Sequence, residues 1–466
     1  MTGFWLALLE VAGILLVFGA AGWLAVSRIL PSGPATRAER VAWGFAAGLG
    51  LMAVSVALAF VLGIRPGWAL AIVCVACVAA GLAFRVSGFE PEKSGPRPGT
   101  RDAGLGRRLS VAGLFLLVLA GIGVYALRAI GEPMWSNDFL AIWGMKGKLI
   151  FELGRLPERL YRDPALTFSH PEYPLGLPLL YAGISFLLGD WDDHAMALLF
   201  PFLQAATLTA LWGWLRRRGA SDALAMGAAA VLALDAPLYS GFHTGLADIP
   251  LSFYLLLLGT SVADAIDGDS RAPARSGLAG FLAASTKNEG VFFVALALLL
   301  GWLAPAAVRR RVQPSLSLWL LSAALAAVVP LRLWRGSVPL KDFDFGFLKP
   351  TLWGELAQRI LETLSVAIRE VAWPALPCLA AIVALWAAGR PAPFADRLLA
   401  MAAAAALAYL LLPALGVYPS RPELGPIFLV HTALGRTVAA LAPLAAAGIA
   451  GRLIPLFPAF RLTADS

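Results

Sequence analysis

Apolar stretches long enough to cross a bilayer recur along this chain, and they decide its class before any motif is considered. Phe4 to Val26, Val41 to Leu62, Val111 to Ile130 and Leu398 to Val417 run almost without charge. A helix of about 20 such residues spans the hydrocarbon core of a membrane. With 59% hydrophobic and 14% charged residues, the composition lies outside that of ordinary soluble globules. Long runs rather than short alternating ones exclude a β-barrel. The expected fold is all-α: a polytopic transmembrane bundle of about 13 membrane helices, some short or broken.

The first run has no basic region before it and contains Glu10, so it is expected to be a true spanning helix with its N-terminus outside, not a cleaved signal. Cys74, Cys77 and Cys378 all lie in apolar runs and read as small hydrophobes, not as a redox pair or a disulfide framework. A net charge of +8 would suggest nucleic acid in a soluble protein. Here the surplus marks cytoplasmic loops, and no nucleic-acid partner is expected. Those loops are Arg28 to Arg40, Arg85 to Arg108, Arg216 to Arg218, Arg271 to Arg275, Arg309 to Arg311, Arg390 to Arg397 and Arg452 onward.

This assignment divides the chain into N-terminal helices with a basic loop (1–109), a central module (110–305) carrying a large outer loop (131–174), and C-terminal helices (306–466) with outer loops 336–363 and 418–431. Ser240 to Pro250 is a further outer loop. Leu175 to Gly189 is short and interrupted by Gly176 and Pro178. Were it to cross fully, Arg216 to Arg218 would face outward, so it reads as re-entrant or juxtamembrane. Ser285 to Gly290 is flanked by two short apolar arms and reads as a turn between two short helices on the outer side.

The outer loops collect the chain's chemistry. Five of the six lysines (Lys146, Lys148, Lys287, Lys341 and Lys349) fall there. Asp138, between Trp135 and Trp143 after a spanning helix, has the placement of a general base; an interfacial cap with a tryptophan belt is the plainer alternative. Lys146 and Lys148 follow in a short amphipathic helix, placed for a phosphate or for lipid headgroups. His170-Pro-Glu-Tyr-Pro174 is a rigid turn bringing His170 and Glu172 to the membrane entrance, each proline biasing its predecessor toward extended backbone. Asp248 lies with His243 where one helix turns into the next, as a second carboxylate or as a helix cap. Lys287 and Glu289 are costly at membrane depth and are expected to pair, with Lys287 available to a phosphate. Arg436, after His431, could grip a phosphate with two donors. A divalent metal ion held by Asp138 and Asp248 is an open expectation. A Gly-rich phosphate loop, HExxH, paired CxxC and a nucleophile elbow are all missing, and no cytoplasmic domain is expected to hold a nucleotide sugar.

In their order along the chain these pieces resemble the C-type (GT-C) polytopic glycosyltransferases, bacterial relatives of the dolichyl-phosphate-mannose protein mannosyltransferases and the lipid A aminoarabinose transferases. The resemblance runs from Gly131 to Pro443. It rests on Asp138 after an early helix, Trp143-x-x-Lys146, His170-Pro-Glu-Tyr-Pro-Leu175, Ala247-Asp-Ile-Pro-Leu251, Thr286-Lys-x-Glu-Gly290 and an outer His431/Arg436 pair. It implies a GT-C-like catalytic loop on the outer face, with Asp138 as the base. It also implies a polyprenyl-phosphate-linked sugar donor bound by Lys287 and Arg436, with Trp143, Lys146, Lys148, His170, Glu172, His243, Asp248, Glu289 and His431 around the substrates. The acceptor would be a glycan, lipid or protein, and the location a bacterial inner membrane with the site facing the periplasm or exterior. An O-antigen-type polymerase or ligase, and a secondary transporter or lipid flippase, stay open as alternatives.

Overall fold

A computed structural model describes residues 2–27, 29–30, 36–86, 105–335, 353–367, 392–415 and 435–456. The described residues are helical, with no strand among them. In chain order the helices are α1 (Thr2–Val26), α2 (Thr36–Leu62), α3 (Pro66–Val86), α4 (Leu105–Gly131), α5 (Gly144–Leu153), α6 (Glu158–Arg162), α7 (Gly176–Leu188), α8 (Asp193–Met196), α9 (Leu199–Arg217) and α10 (Asp222–Ala233). There follow α11 (Asp248–Ile266), α12 (Ala272–Thr286), α13 (Asn288–Trp302), α14 (Ala306–Arg335), α15 (Trp353–Ala367), α16 (Pro393–Leu415), α17 (Gly435–Ala439) and α18 (Ala442–Leu453). Among the described residues, 6 helical stretches are long and apolar enough to cross a membrane: Gly3–Val26, Arg37–Leu62, Arg108–Gly131, Asp193–Arg217, Asp248–Ile266 and Arg309–Pro330.

Burial sorts these helices. Every residue of α11 is buried, whereas α4 exposes Leu116, Val124 and Leu127 and α14 exposes Leu318, Leu321 and Leu325. A helix ringed by protein can carry polar groups that a lipid-facing one cannot. Ser252, Thr260 and Ser261 of α11 each return their hydroxyl to a carbonyl of the preceding turn. α1 and α2 cross closely because Gly22 and Gly48 have no Cβ: one built at either position would collide with the partner helix's backbone.

The bundle has two charged poles, one at each end of α11. At the C-terminal pole Asp264 is buried and accepts hydrogen bonds from Arg217 (2.6 Å), Arg218 (2.5 Å), Arg275 (3.2 Å) and the Trp214 indole (3.3 Å). Glu39 takes two bonds of 2.8 Å from Arg217, Asp267 pairs with Arg218 and Arg397, and Arg452 pairs with Asp396. Arg271 and Arg275 donate to the carbonyls of Leu30 and Ile29. Five of the basic loops assigned to one side of the membrane are therefore gathered at one end of the bundle. Their arginines are largely matched by carboxylates there, so the pole is an ionic clasp across α2, α9, α11, α12 and α16 as well as a charge marker.

The interrupted segments fold at the opposite pole. α7 begins against the backbone of Ser285, and after it His194 lies 3.5 Å from the Ile130 carbonyl at the end of α4. Between these points α7 is one unbroken helix that packs along α2, with Gly183 against Met52 and Val56. α12 and α13 form a hairpin whose corner is Lys287 alone, in extended backbone (φ −153°, ψ 151°). The hairpin closes at Gly290, where a Cβ would run into the carbonyl of Ala283.

Candidate functional site

The site pole is built where four chain segments meet. α4 ends at Gly131, and after a short loop Asp138 opens a π-helical turn, Phe139–Trp143, that continues directly into α5. The Ser136 hydroxyl accepts the Phe139 N–H (3.3 Å) and starts this turn. Widened turns of this kind are common at functional positions because they displace a side chain from the regular helical register. Gly245, at φ +92°, lets the 241–247 loop close onto Phe139 and Met134, and Tyr181 donates to its carbonyl (3.0 Å). That docking sets the first turn of α11, and with it Asp248, opposite Asp138.

A continuous chain of charges follows. Arg436 Nη1 lies 2.8 Å from Asp138 Oδ2, while its Nη2 and Nε lie 2.8 and 3.3 Å from Asp248 Oδ2. Lys287 Nζ lies 3.1 Å from Asp248 Oδ1 and 2.9 Å from Glu289 Oε1. Three carboxylates therefore alternate with two cations drawn from four parts of the sequence. The side chain of Asp138 is 36% exposed and that of Asp248 1%. Asp138 is thus the carboxylate open to a substrate, and Asp248 is a sealed counterion with both oxygens engaged.

The His170 turn abuts this chain. His170 stacks on Tyr173 (centroids 4.9 Å apart) and Tyr173 on Trp143 (5.2 Å). Lys146, fully buried, donates to the His170 carbonyl (2.6 Å) and sits over the Tyr173 ring. His170 Nδ1 lies 2.8 Å from Glu172 Oε1. Burial alone would raise the Glu172 carboxyl, but the His170 hydrogen bond and charge, with help from Lys146, hold it below the usual carboxylate range. Burial, then Glu289, pushes the Tyr173 phenol up against the opposing pull of Lys287, with Glu172 and Asp138 adding to the rise.

His243 completes the wall. Its Nδ1 meets the Ser240 hydroxyl at 2.9 Å, and its buried Nε2 has no partner. Burial depresses its pKa, with Arg436 and Lys287 reinforcing and Asp248 opposing. Glu289 Oε2 is likewise buried without a partner.

Of the residues singled out in the sequence, Asp138, Trp143, Lys146, His170, Glu172, His243, Asp248, Lys287, Glu289 and Arg436 are brought together. Lys148 is not: it is half exposed on the other face of α5 and faces Glu152 at 3.9 Å. Positions 146 and 148 are two apart, and a helix turns such neighbours to different faces. Pro171 also fails to hold His170 extended. His170 has φ +51°, a left-handed conformation uncommon outside glycine, held by the Lys146, Glu172 and Tyr173 contacts. Tyr173 joins the site without being singled out by the sequence reading; an aromatic fixed between two prolines is the available signal. His431, Lys341, Lys349, most of loop 336–363 and all of loop 418–431 lie outside the described residues.

The carboxylates do not fit a divalent metal. Asp138 and Asp248 are bridged by the Arg436 guanidinium, and no group of three or more His, Cys, Asp or Glu able to hold an ion occurs among the described residues. Comparison with protein-family models, curated proteins and solved structures gave no match.

Proposed function

We propose that this chain is an integral membrane glycosyltransferase that moves a sugar from a polyprenyl-phosphate-linked donor to an acceptor hydroxyl at the outer face of a bacterial inner membrane, with inversion. The observation that carries the reading is the sharing of Arg436 between an exposed carboxylate and a buried one. A phosphate arriving at the site competes with Asp138 for Arg436 Nη1 but cannot displace the sealed Asp248. Donor binding then frees the Asp138 carboxylate while Arg436 stays aimed at the phosphate.

The acceptor hydroxyl gives its proton to Asp138 and its oxygen forms the new bond to the anomeric carbon. The bond from that carbon to the phosphate oxygen breaks, and its electron pair leaves with the polyprenyl phosphate. Arg436 and Lys287 oppose the charge gathering there. Asp248 holds both cations in place without touching the reacting atoms, and the acceptor is a glycan, lipid or protein.

Membranes containing the protein, supplied with radiolabelled polyprenyl-phosphate sugars, should transfer label to an acceptor. Asp138→Asn should abolish transfer while keeping the folded yield. An active Asn variant defeats the assignment of the base and favours a polymerase or ligase that works without it. Movement of the lipid across the bilayer without turnover would make the protein a transporter or flippase.

A further inference from the structure

A groove of about 830 Å³ lies at the site pole but away from the ion chain. Phe60 and Ile64 at the end of α2, Trp68 at the start of α3 and Leu187 near the end of α7 form its apolar wall, and Arg65 and Arg155 stand at its rim. α7 has 13 residues, starts beside Ser285 near the ion chain and reaches the groove at its other end. The two sites are therefore roughly 18 Å apart along that helix.

The groove lies where a stretch long enough to span a membrane ends, which is where lipid headgroups are expected. The second spanning stretch ends at Leu62, and Gly63 and Ile64 turn the chain back into the apolar α3. Trp68, 66% exposed, has the amphipathic ring favoured at the membrane interface. The arginines come from separate elements, Arg65 from the α2–α3 turn and Arg155 from just beyond the left-handed Gly154 that ends α5. Among the described residues neither has an acidic partner. Nearby in sequence, Glu152 faces Lys148 and Asp163 pairs with Arg159. At the opposite pole Arg217, Arg218, Arg275 and Arg397 are all matched by carboxylates. Two unmatched cations over an apolar trough suit a ligand with an anionic head and a hydrocarbon tail.

We propose that this groove binds an anionic phospholipid of the surrounding leaflet, its phosphate between Arg65 and Arg155 and an acyl chain against Phe60 and Leu187. Because Arg155 follows directly on α5, and α5 continues the turn that begins at Asp138, the bound lipid steadies the far end of the catalytic segment.

The test uses the full chain in neutral detergent, titrated with phosphatidylglycerol or phosphatidylcholine bearing the same brominated acyl chains, with tryptophan quenching as the readout. Phosphatidylglycerol should reach half-maximal quenching at a concentration about thirty-fold lower, from two arginine contacts near the surface. The quenching amplitude should fall in Trp68→Phe, which removes the reporter, and the phosphatidylglycerol excess should vanish in Arg65→Gln/Arg155→Gln. Arg155→Gln alone should give an intermediate value, and size exclusion should show each variant folded. Equal quenching by both lipids, or an excess that survives the double substitution, overturns the proposal. Displacement by millimolar inorganic phosphate would show a phosphate site with no lipid component. Displacement by polyprenyl phosphate at concentrations well below those of phosphatidylglycerol would make the occupant the substrate lipid.

Discussion

Lys287 is the single cation between two carboxylates, 3.1 Å from Asp248 and 2.9 Å from Glu289, and it is buried. Lys287→Met keeps the length and apolar stem of the side chain and removes only the charge. Asp248 retains Arg436 through two nitrogens, so it stays compensated. Glu289 does not: Lys287 is its ion-pair partner and its second oxygen is already buried without a hydrogen bond. Leaving a fully buried charge uncompensated costs about 3–5 kcal/mol, and Glu289, 22% exposed, should fall at or below the lower end of that range. Adding Glu289→Gln to Lys287→Met removes that orphan charge and should return roughly half of the loss. Asp138→Asn, by contrast, removes the more exposed carboxylate and leaves Arg436 paired with Asp248, so it should cost no more than about 1 kcal/mol. Reversible unfolding of the full chain in mixed micelles, followed by tryptophan fluorescence against the fraction of ionic detergent, would rank the variants. The reasoning is refuted if Lys287→Met is as stable as the parent, or if Glu289→Gln deepens the defect instead of relieving it.

Three further outcomes follow from the same geometry. His243 has a depressed pKa and is neutral in the folded protein, so the unfolded chain binds more protons once the pH drops below about 6.5. Stability should therefore decline from pH 7 to 5.5, and His243→Gln should flatten that part of the profile; an unchanged slope would remove His243 from the account. Lys146→Met should cost about 1.5–3 kcal/mol through its lost bond to the His170 carbonyl and admit protease to the 170–174 turn, while Lys148→Ala should stay within about 0.5 kcal/mol. Gly290→Ala should prevent the α12–α13 hairpin from closing and abolish folded yield in detergent; a normal yield would show that the hairpin can spread.

The membrane class was legible because hydrocarbon thickness writes itself into run length, and the polar residues were conspicuous because charges are so costly there. Asp138, Asp248, Lys287 and Arg436 are scattered over some three hundred positions, yet each could be picked out by the cost of placing it in an apolar chain. What each one touches was harder to read. Lys287 and Glu289 could be paired from their spacing, but the sharing of Arg436 by two carboxylates depends on how α4, α11 and α17 meet, which no local pattern encodes. Lys146 and Lys148 share one short amphipathic helix, and helical periodicity, applied strictly, separates residues two apart. His170 departs from the pre-proline rule because one tertiary bond, from Lys146, joins two contacts inside the turn, to Glu172 and Tyr173, against a local preference worth about 1–3 kcal/mol. The short helices α7, α10 and α13 are intelligible only in company: each is too brief to cross by itself and gains its place from the longer helices around it.

α11 joins the two charged poles with a single hydrogen-bonded backbone, and the span from Asp248 to Asp264 measures about 24 Å. Since no residue of that helix faces lipid, its length acts as a ruler insulated from the bilayer. Thickening or thinning the membrane acts on the lipid-facing flanks of α4 and α14 and leaves the ruler alone. The depth at which the carboxylates and cations meet is thus a dimension carried by the chain itself, and the lipids around it adjust to fit.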